Sequence, residues 1–336
     1  STDDVSPTGL AELARQLESG GKTVKTVGLG GPHPESLAGC RLVVLAAPDE
    51  PLSSLASKHV ADYLLSGGSV LVLATAGLDE RGHVDQRGLG PLLETAGLTA
   101  ESRVVIEADP QRVLTGSFGE TFVAQPLPHD VTRALFRRGE AELGVVATLA
   151  LPITSKQLFD AKPLLTASEH AYSTSSLSSM VERGELPTPP ARPQDTDPSQ
   201  PHEGAPRVAW AVELPARDGQ TAKRHPRLIV APASVGFGRN WRESQWAGTR
   251  RFAEGALAWL LEQPVPLSVP ERPDRRVGLS LTEGELQRVA LWVLLWMPGA
   301  ALGLGGLVLY LRRRHPNRKP PAPPAKREAV PPEESP

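Results

Sequence analysis

The chain has one cysteine, Cys40, in 336 residues. That excludes an intrachain disulfide and any cage of cysteine thiolates around a metal. Cys40 stands just before the apolar run Leu42-Val43-Val44-Leu45, where a thiol is expected to serve as a small core filler. The formal charge is only −2, and outside the C-terminal region no run of basic residues occurs. A nucleic-acid partner, which needs a concentrated phosphate-neutralising face, is therefore not expected. Nucleophilic catalysis also lacks its apparatus: there is no Gly-x-Ser-x-Gly elbow, and Ser234 in Ala-Ser-Val-Gly-Phe-Gly lacks the glycine two positions earlier. The chain opens on Ser1 without a charged-then-apolar leader, which leaves room for an N-terminal segment ahead of it.

What the chain does have is an uncharged run from Val289 to Leu311, followed at once by Arg312, Arg313 and Arg314. As a helix it is long enough to cross a hydrocarbon core of ~30 Å, so a stalk and a single-pass transmembrane helix are expected over 282–311. More basic residues follow the run than precede it, which puts a cytoplasmic, Pro-rich tail at 312–336 and the main body outside an inner membrane. Trp292 and Tyr310 stand where interfacial aromatics sit, and Pro298 is expected to kink the span. A Thr282-x-x-Glu285 capping box predicts where the last helix starts. Gly299, Gly303 and Gly306 fall on one stripe that either admits a second membrane helix or reflects ordinary glycine enrichment.

The body reads as alternating helices and strands. Leu10, Leu13, Ala14 and Leu17 recur at helical spacing and stop at Gly20-Gly21, after which Thr23 to Val27 reads as a strand. Leu42 to Ala47 and Ser69 to Ala74 are apolar runs of the kind buried on both faces, separated by a helix stripe at Ala56, Val60, Tyr63 and Leu64. Leu89 to Ala96 predicts a short helix, and Arg103 to Ile106 another strand. From Pro126 to Ala171 the pattern thins to candidate strands at Val145 to Ala150 and Leu164 to Ala167, with a short helix at His129 to Phe136. Apolar strands resume at Val208 to Val212 and Leu228 to Ala231, before a helix from Thr249 to Leu261. This punctuation predicts an α/β fold, doubly wound around a mostly parallel sheet. The domain would comprise 1–172 and 207–281, interrupted by 173–206, whose Ser/Pro-rich composition cannot offset its ordering entropy.

Candidate sites are few. Asp49 and Glu50 follow a strand at the carboxyl edge, where open α/β sheets bind ligands, and also suit an exposed loop ahead of a Ser-capped helix. His83 and Asp85 are too few for a catalytic zinc, which takes three protein ligands. Gly28-x-Gly30-Gly31 runs into Pro32-His33-Pro34, so no helix N-terminus is at hand to receive a phosphate. Gly236 to Asn240 reads as a tight turn. No cofactor and no metal are expected.

An ordered set of segments carries a resemblance. It runs from Cys40-Arg-Leu-Val-Val-Leu-Ala-Ala-Pro48 and Pro51-Leu52-Ser53 to Asp62-Tyr63-Leu64-Leu65, Gly67-Gly68 and Ser69 to Leu73. Gly88 to Leu93, Ala96-Gly97-Leu98, His129 with Val131-Thr132, Leu164 to Ser168, Phe252 to Leu260 and Leu279 to Thr282 continue it. Together these resemble the gliding-motility-type (GldG-like) auxiliary component of ABC transporters. The resemblance implies a periplasmic domain related to the class I glutamine amidotransferase fold, beside an ABC permease and its cytoplasmic ATPase. It implies a non-catalytic accessory role, since no cysteine follows Ser69 to Leu73; a cell-envelope hydrolase or transferase using carboxyl-edge loops is the alternative, and a solute-binding component a third. Gly255, where the family usually has Asn, and Ala231-Pro232-Ala233-Ser234, where it often has an Asp-containing turn, depart from the pattern.

Overall fold

A computed structural model describes residues 10–30, 34–46, 51–78, 83–175, 177, 204–215, 225–242 and 244–263, and near the C-terminus 298, 302–307, 309–311 and 314. Two compact units divide at Leu267/Ser268. The first opens with α1 (Ala11–Ser19), which buries Leu13 and Ala14. Strand β1 (Leu42–Ala46) follows, then α2 (Ser54–Leu65), started by Ser53, whose hydroxyl accepts the Ala56 N–H at 3.1 Å. Next come β2 (Ser69–Ala74), the short pair β3 (Gly77–Leu78) and β4 (Val84–Asp85), and α3 (Gly90–Thr95).

Among the described residues no further α-helix forms until α4 (Ala247–Leu260). The intervening elements are strands: β5 (Leu98–Ala100), β6 (Val104–Ile106), β7 (Thr121–Pro126), β8 (Phe136–Arg137), β9 (Glu140–Ala141), β10 (Val145–Thr148), β11 (Ile153–Ser155), β12 (Asp160–Thr166), β13 (Tyr172–Thr174), β14 (Arg207–Glu213) and β15 (Arg227–Pro232). The main sheet has seven strands in the order β1-β2-β15-β14-β12-β7-β10. Among the described strands only β1/β2 and β2/β15 pair parallel. The contacts β15/β14, β14/β12, β12/β7 and β7/β10 are antiparallel.

This corrects the doubly wound, mostly parallel, amidotransferase-like expectation. A parallel pair needs a crossover, usually a helix, whereas antiparallel neighbours can be joined by a tight connection. Among the described residues between α3 and α4 no such helix joins these strands, and the sheet is antiparallel beyond β15. Strand β6 leaves the main sheet altogether and pairs with β13. Lys22 to Gly30, read as containing a strand, forms none. His129 to Phe136, read as a helix, forms only a single 3-10 turn at Arg133–Leu135.

Two apolar cores lie on the two faces, sorted by the period of two along each strand. Leu71, Leu73, Ile229 and Ala231 join Leu13 of α1 and Phe252, Ala256 and Leu260 of α4. Val70, Val72, Leu228 and Val230 join Val60 and Leu64 of α2 and Leu92 and Leu93 of α3. The start of 173–206 belongs to the folded unit: β13 ends at Thr174, Ser175 accepts the Val84 N–H at 3.0 Å, and Leu177 is buried. Residues 178–203 lie outside the described residues.

Among the described residues no helix is long and apolar enough to cross a membrane. The C-terminal single-pass anchor and the inner-membrane localisation are corrected accordingly. Gly303 and Gly306 are exposed, and among the described residues a side chain at either would meet nothing within 4 Å. Gly299, Arg312, Arg313, Trp292 and the Thr282/Glu285 box lie outside the described residues. Arg314 stacks on Tyr310 at 5.0 Å.

Candidate functional site

The carboxyl edge of the parallel strands is where a ligand was expected. Asp49 and Glu50 lie outside the described residues. The turn after β15 is a 3-10 helix, Ala233–Gly236, and it sits so close that a side chain at Gly236 would come within 2.6 Å of Leu73 and 2.9 Å of Leu10. The Ala76 N–H after β2 donates to the Leu149 carbonyl at 2.8 Å. Asp85 accepts the Arg87 N–H at 2.5 Å and so closes a local turn. No group of three or more His, Cys, Asp or Glu able to hold a metal occurs among the described residues. Gly28 and Gly30 lie in the extended stretch, where Gly28 accepts the Glu35 N–H at 3.0 Å and no helix follows; Gly31 is outside the described residues. Ser234 is buried and donates to the Val146 carbonyl at 2.7 Å, a bond that commits its hydroxyl to structure.

The opposite, amino edge carries a constellation. Register places Ser69, Arg227, Glu213 and Asp160 in one row across β2, β15, β14 and β12. The Arg227 guanidinium donates to Glu213 at 3.3 Å, lies 3.8 Å from Glu262, and donates to the Trp259 carbonyl at 2.8 Å. Its carbon sits 4.7 Å above the Trp259 ring, a cation–π contact strengthened by partial burial. Arg41 adds a second bond to the end of α4, donating to the Leu261 carbonyl at 3.3 Å. The Trp259 carbonyl also accepts the Glu262 N–H at 3.3 Å, and both arginines thus place positive charge on the last carbonyls at the negative end of the helix dipole.

His129 meets the far side of Trp259 edge-on, with ring centroids 5.6 Å apart at 67°. Its Nδ1 accepts the Val131 N–H at 3.2 Å, which assigns the neutral-ring proton to Nε2. Burial pushes the imidazole below its ordinary value; Asp130 opposes this, Lys162 adds to it, and Asp160 and Glu213 oppose it. Lys162 pairs with Asp160 at 3.3 Å. The surface therefore presents a half-buried indole flanked by an imidazole and by charges of both signs. Arg227 is already matched by carboxylates, and the imidazole nitrogen that would act as a base is taken by a backbone donor.

Helix α4 reaches this place by close backbone contact. A side-chain carbon at Gly255 would lie 2.1 Å from the Val131 carbonyl oxygen, and one at Gly248 would lie 1.9 Å from that of Gly144. The two glycines are two turns apart on one face, so the helix lies directly on the loops before β8 and β10. This explains why the position carries Gly255 rather than a polar residue: the seat has no room for one. At the N-terminal end of the helix Thr249 accepts the Val146 N–H at 2.9 Å, while Ser234 serves the Val146 carbonyl. Strand β10 is an edge strand, and these two hydroxyls take the place of a missing neighbour.

Trp259 entered the sequence reading only within a segment of the resemblance, and His129 there and as the start of an expected short helix; Arg227, Glu213, Asp160 and Lys162 did not enter at all. Their one sequence signal was position, since Arg227 and Glu213 flank the apolar runs Leu228 to Ala231 and Val208 to Val212.

No family model matches the chain, and no curated protein matches it. A solved structure, the mmIFT52 N-terminal domain, aligns with a TM-score of 0.48 at 15% identity, covering 77% of this chain and 93% of that one. The doubly wound, amidotransferase-like sheet and the C-terminal single-pass anchor are the expectations that the sheet topology and the described helices correct.

Proposed function

We propose that the folded domain is a non-catalytic accessory module that acts by binding a partner protein through the Trp259 surface. The observation that carries this reading is the contrast between the two ends of the sheet. At the carboxyl edge, the usual place for a small ligand, the described Ala233–Gly236 turn packs closely on Leu10 and Leu73. The amino edge offers a half-buried Trp and an Arg inside a ring of charge, the composition of an interface anchor with a polar rim. The permease and ATPase implied by the resemblance are the partners to test first. Full-length protein isolated from its own cells under mild conditions is expected in a stoichiometric complex with them. Trp259→Ala is expected to lower recovery of the partner at least tenfold while the domain stays folded. Recovery as a lone chain, or equal recovery with Trp259→Ala, overturns the reading.

A further inference from the structure

The two edges of the main sheet are finished differently. At β10 the Val146 N–H and carbonyl are both taken by side chains, and α4 lies against the adjoining Gly144. At the other edge, β1 pairs with β2 on one side and with no strand on the other among the described residues. Its sequence is Leu-Val-Val-Leu-Ala, with no charge, no proline and no bulge, the very features that blunt an exposed edge. A strand edge that no other described strand covers is a template for another strand.

The chain holds a segment suited to it. Lys22 to Gly30 carries no helix; Val24 is half-buried between exposed Thr23 and Lys25, and after a one-residue slip at exposed Thr26 the half-buried positions continue at Val27 and Leu29, the period of two expected of a strand with a bulge between them. Val27 and Leu29 already pack on the same apolar cluster as Val43 of β1 and Leu45 beside it. Thr23 and Val24 are β-branched, as are Thr26 and Val27, which favours a pleated conformation. The connection from Gly28 to Arg41 has the length of about a dozen residues or more that a parallel crossover needs.

We propose that Thr23–Val27 is a strap that closes onto β1 as an eighth, parallel strand and so guards this edge against strand addition by another chain. The inference is independent of the Trp259 reading, which concerns the other end of the strands. Residues of a strand send their N–H groups alternately to either side, so β2 holds only every second amide of Leu42–Ala46. Amide hydrogen exchange on the full-length protein therefore discriminates. With the strap closed, the whole run exchanges slowly; with the edge open, every second amide exchanges as fast as an exposed loop.

Val24→Pro/Lys25→Pro removes a donor from whichever of the two faces β1, and is expected to speed the outward β1 amides at least tenfold while Val145–Thr148 stays unchanged. Val24→Asn, which keeps the backbone donor, is expected to leave the pattern as in the wild type. Fast alternate amides in the wild type, or a β1 pattern indifferent to the double proline, overturn the strap. Protection of β1 that grows with protein concentration also overturns it, because a second copy is then the occupant. Should the proline variant fail to fold, the wild-type pattern decides alone.

Discussion

Gly255→Ala tests the seating of α4 most directly. In an open helix the change is favourable by up to about 1 kcal/mol, because Ala loses less backbone entropy than Gly. Here the new carbon would be placed 2.1 Å from the Val131 carbonyl oxygen, against an ordinary contact of 3.4–4 Å. The obstacle is backbone, so relief requires α4 or the loop beneath it to move by more than an ångström. Forced overpacking of this kind costs roughly 1–3 kcal/mol, and occasionally more. The net expectation is a loss of about 1–2 kcal/mol, or a fall of roughly 2–4 °C in Tm for each kcal/mol in a domain of this size. Gly30→Ala, where nothing lies within 4 Å, serves as the control and is expected to stay within about 0.5 kcal/mol of wild type. Thermal unfolding by circular dichroism, with the Trp fluorescence of the native state as a second probe, reads the difference. If Gly255→Ala melts at or above the wild-type temperature, helix propensity has won, and α4 does not rest on the Val131 carbonyl.

Three further outcomes follow from the same contacts. Ser234→Ala and Thr249→Val each orphan one buried backbone group of Val146, so each is expected to lower the denaturation free energy by about 1–3 kcal/mol and to loosen exchange at β10. Arg227→Met keeps an apolar stem against Trp259 but removes the donors to the Trp259 carbonyl and Glu213; a loss of about 1–2 kcal/mol in urea unfolding is expected, only partly salt-sensitive because one bond is to backbone. The His129 imidazole is held below its ordinary value of 6.5 by burial, so the unfolded chain binds its proton first as pH falls. Stability from this group is therefore complete above that value and is lost on descending through it towards the lower native value. His129→Gln is expected to flatten the stability–pH slope in that window, and an unchanged slope in denaturant titrations would assign the pH dependence elsewhere.

The local elements were legible wherever one segment carries its own signal. The helix stripes at Val60 and Leu64 and at Phe252 to Leu260, and the apolar runs of β1, β2, β14 and β15, stand where periodicity put them. Direction was not legible, because the run Leu164 to Ala167 is equally apolar whichever way its neighbour points. The clue lay in what was missing between the runs: no amphipathic helical stripe is long enough to carry β7, β10 or β12 back to the same end of the sheet. Thinning of the pattern after Pro126 was thus a statement about topology, since strands without crossover helices pair antiparallel. The span shows the converse. An uncharged run of suitable length is visible in sequence, yet among the described residues it does not yield a helix of crossing length.

The Trp259 surface was hidden for a different reason. Arg227, Glu213 and Asp160 are far apart in the chain and each looks like a solvated residue closing an apolar run. They become neighbours only through the register Arg227↔Glu213 and Glu213↔Asp160, and a slip of one residue in either ladder would send a charge to the opposite face. The same register therefore has an electrostatic guard: displacing β15 by one residue would draw Arg227 away from both Glu213 and the Trp259 carbonyl, leaving carboxylate and helix end unmatched. Apolar alternation alone constrains these strands weakly, because β14 and β15 are buried on both faces and either parity keeps apolar side chains inside. A charged pair at the strand ends, tied to the end of α4 through Trp259, supplies the discrimination that the uniformly apolar interior cannot.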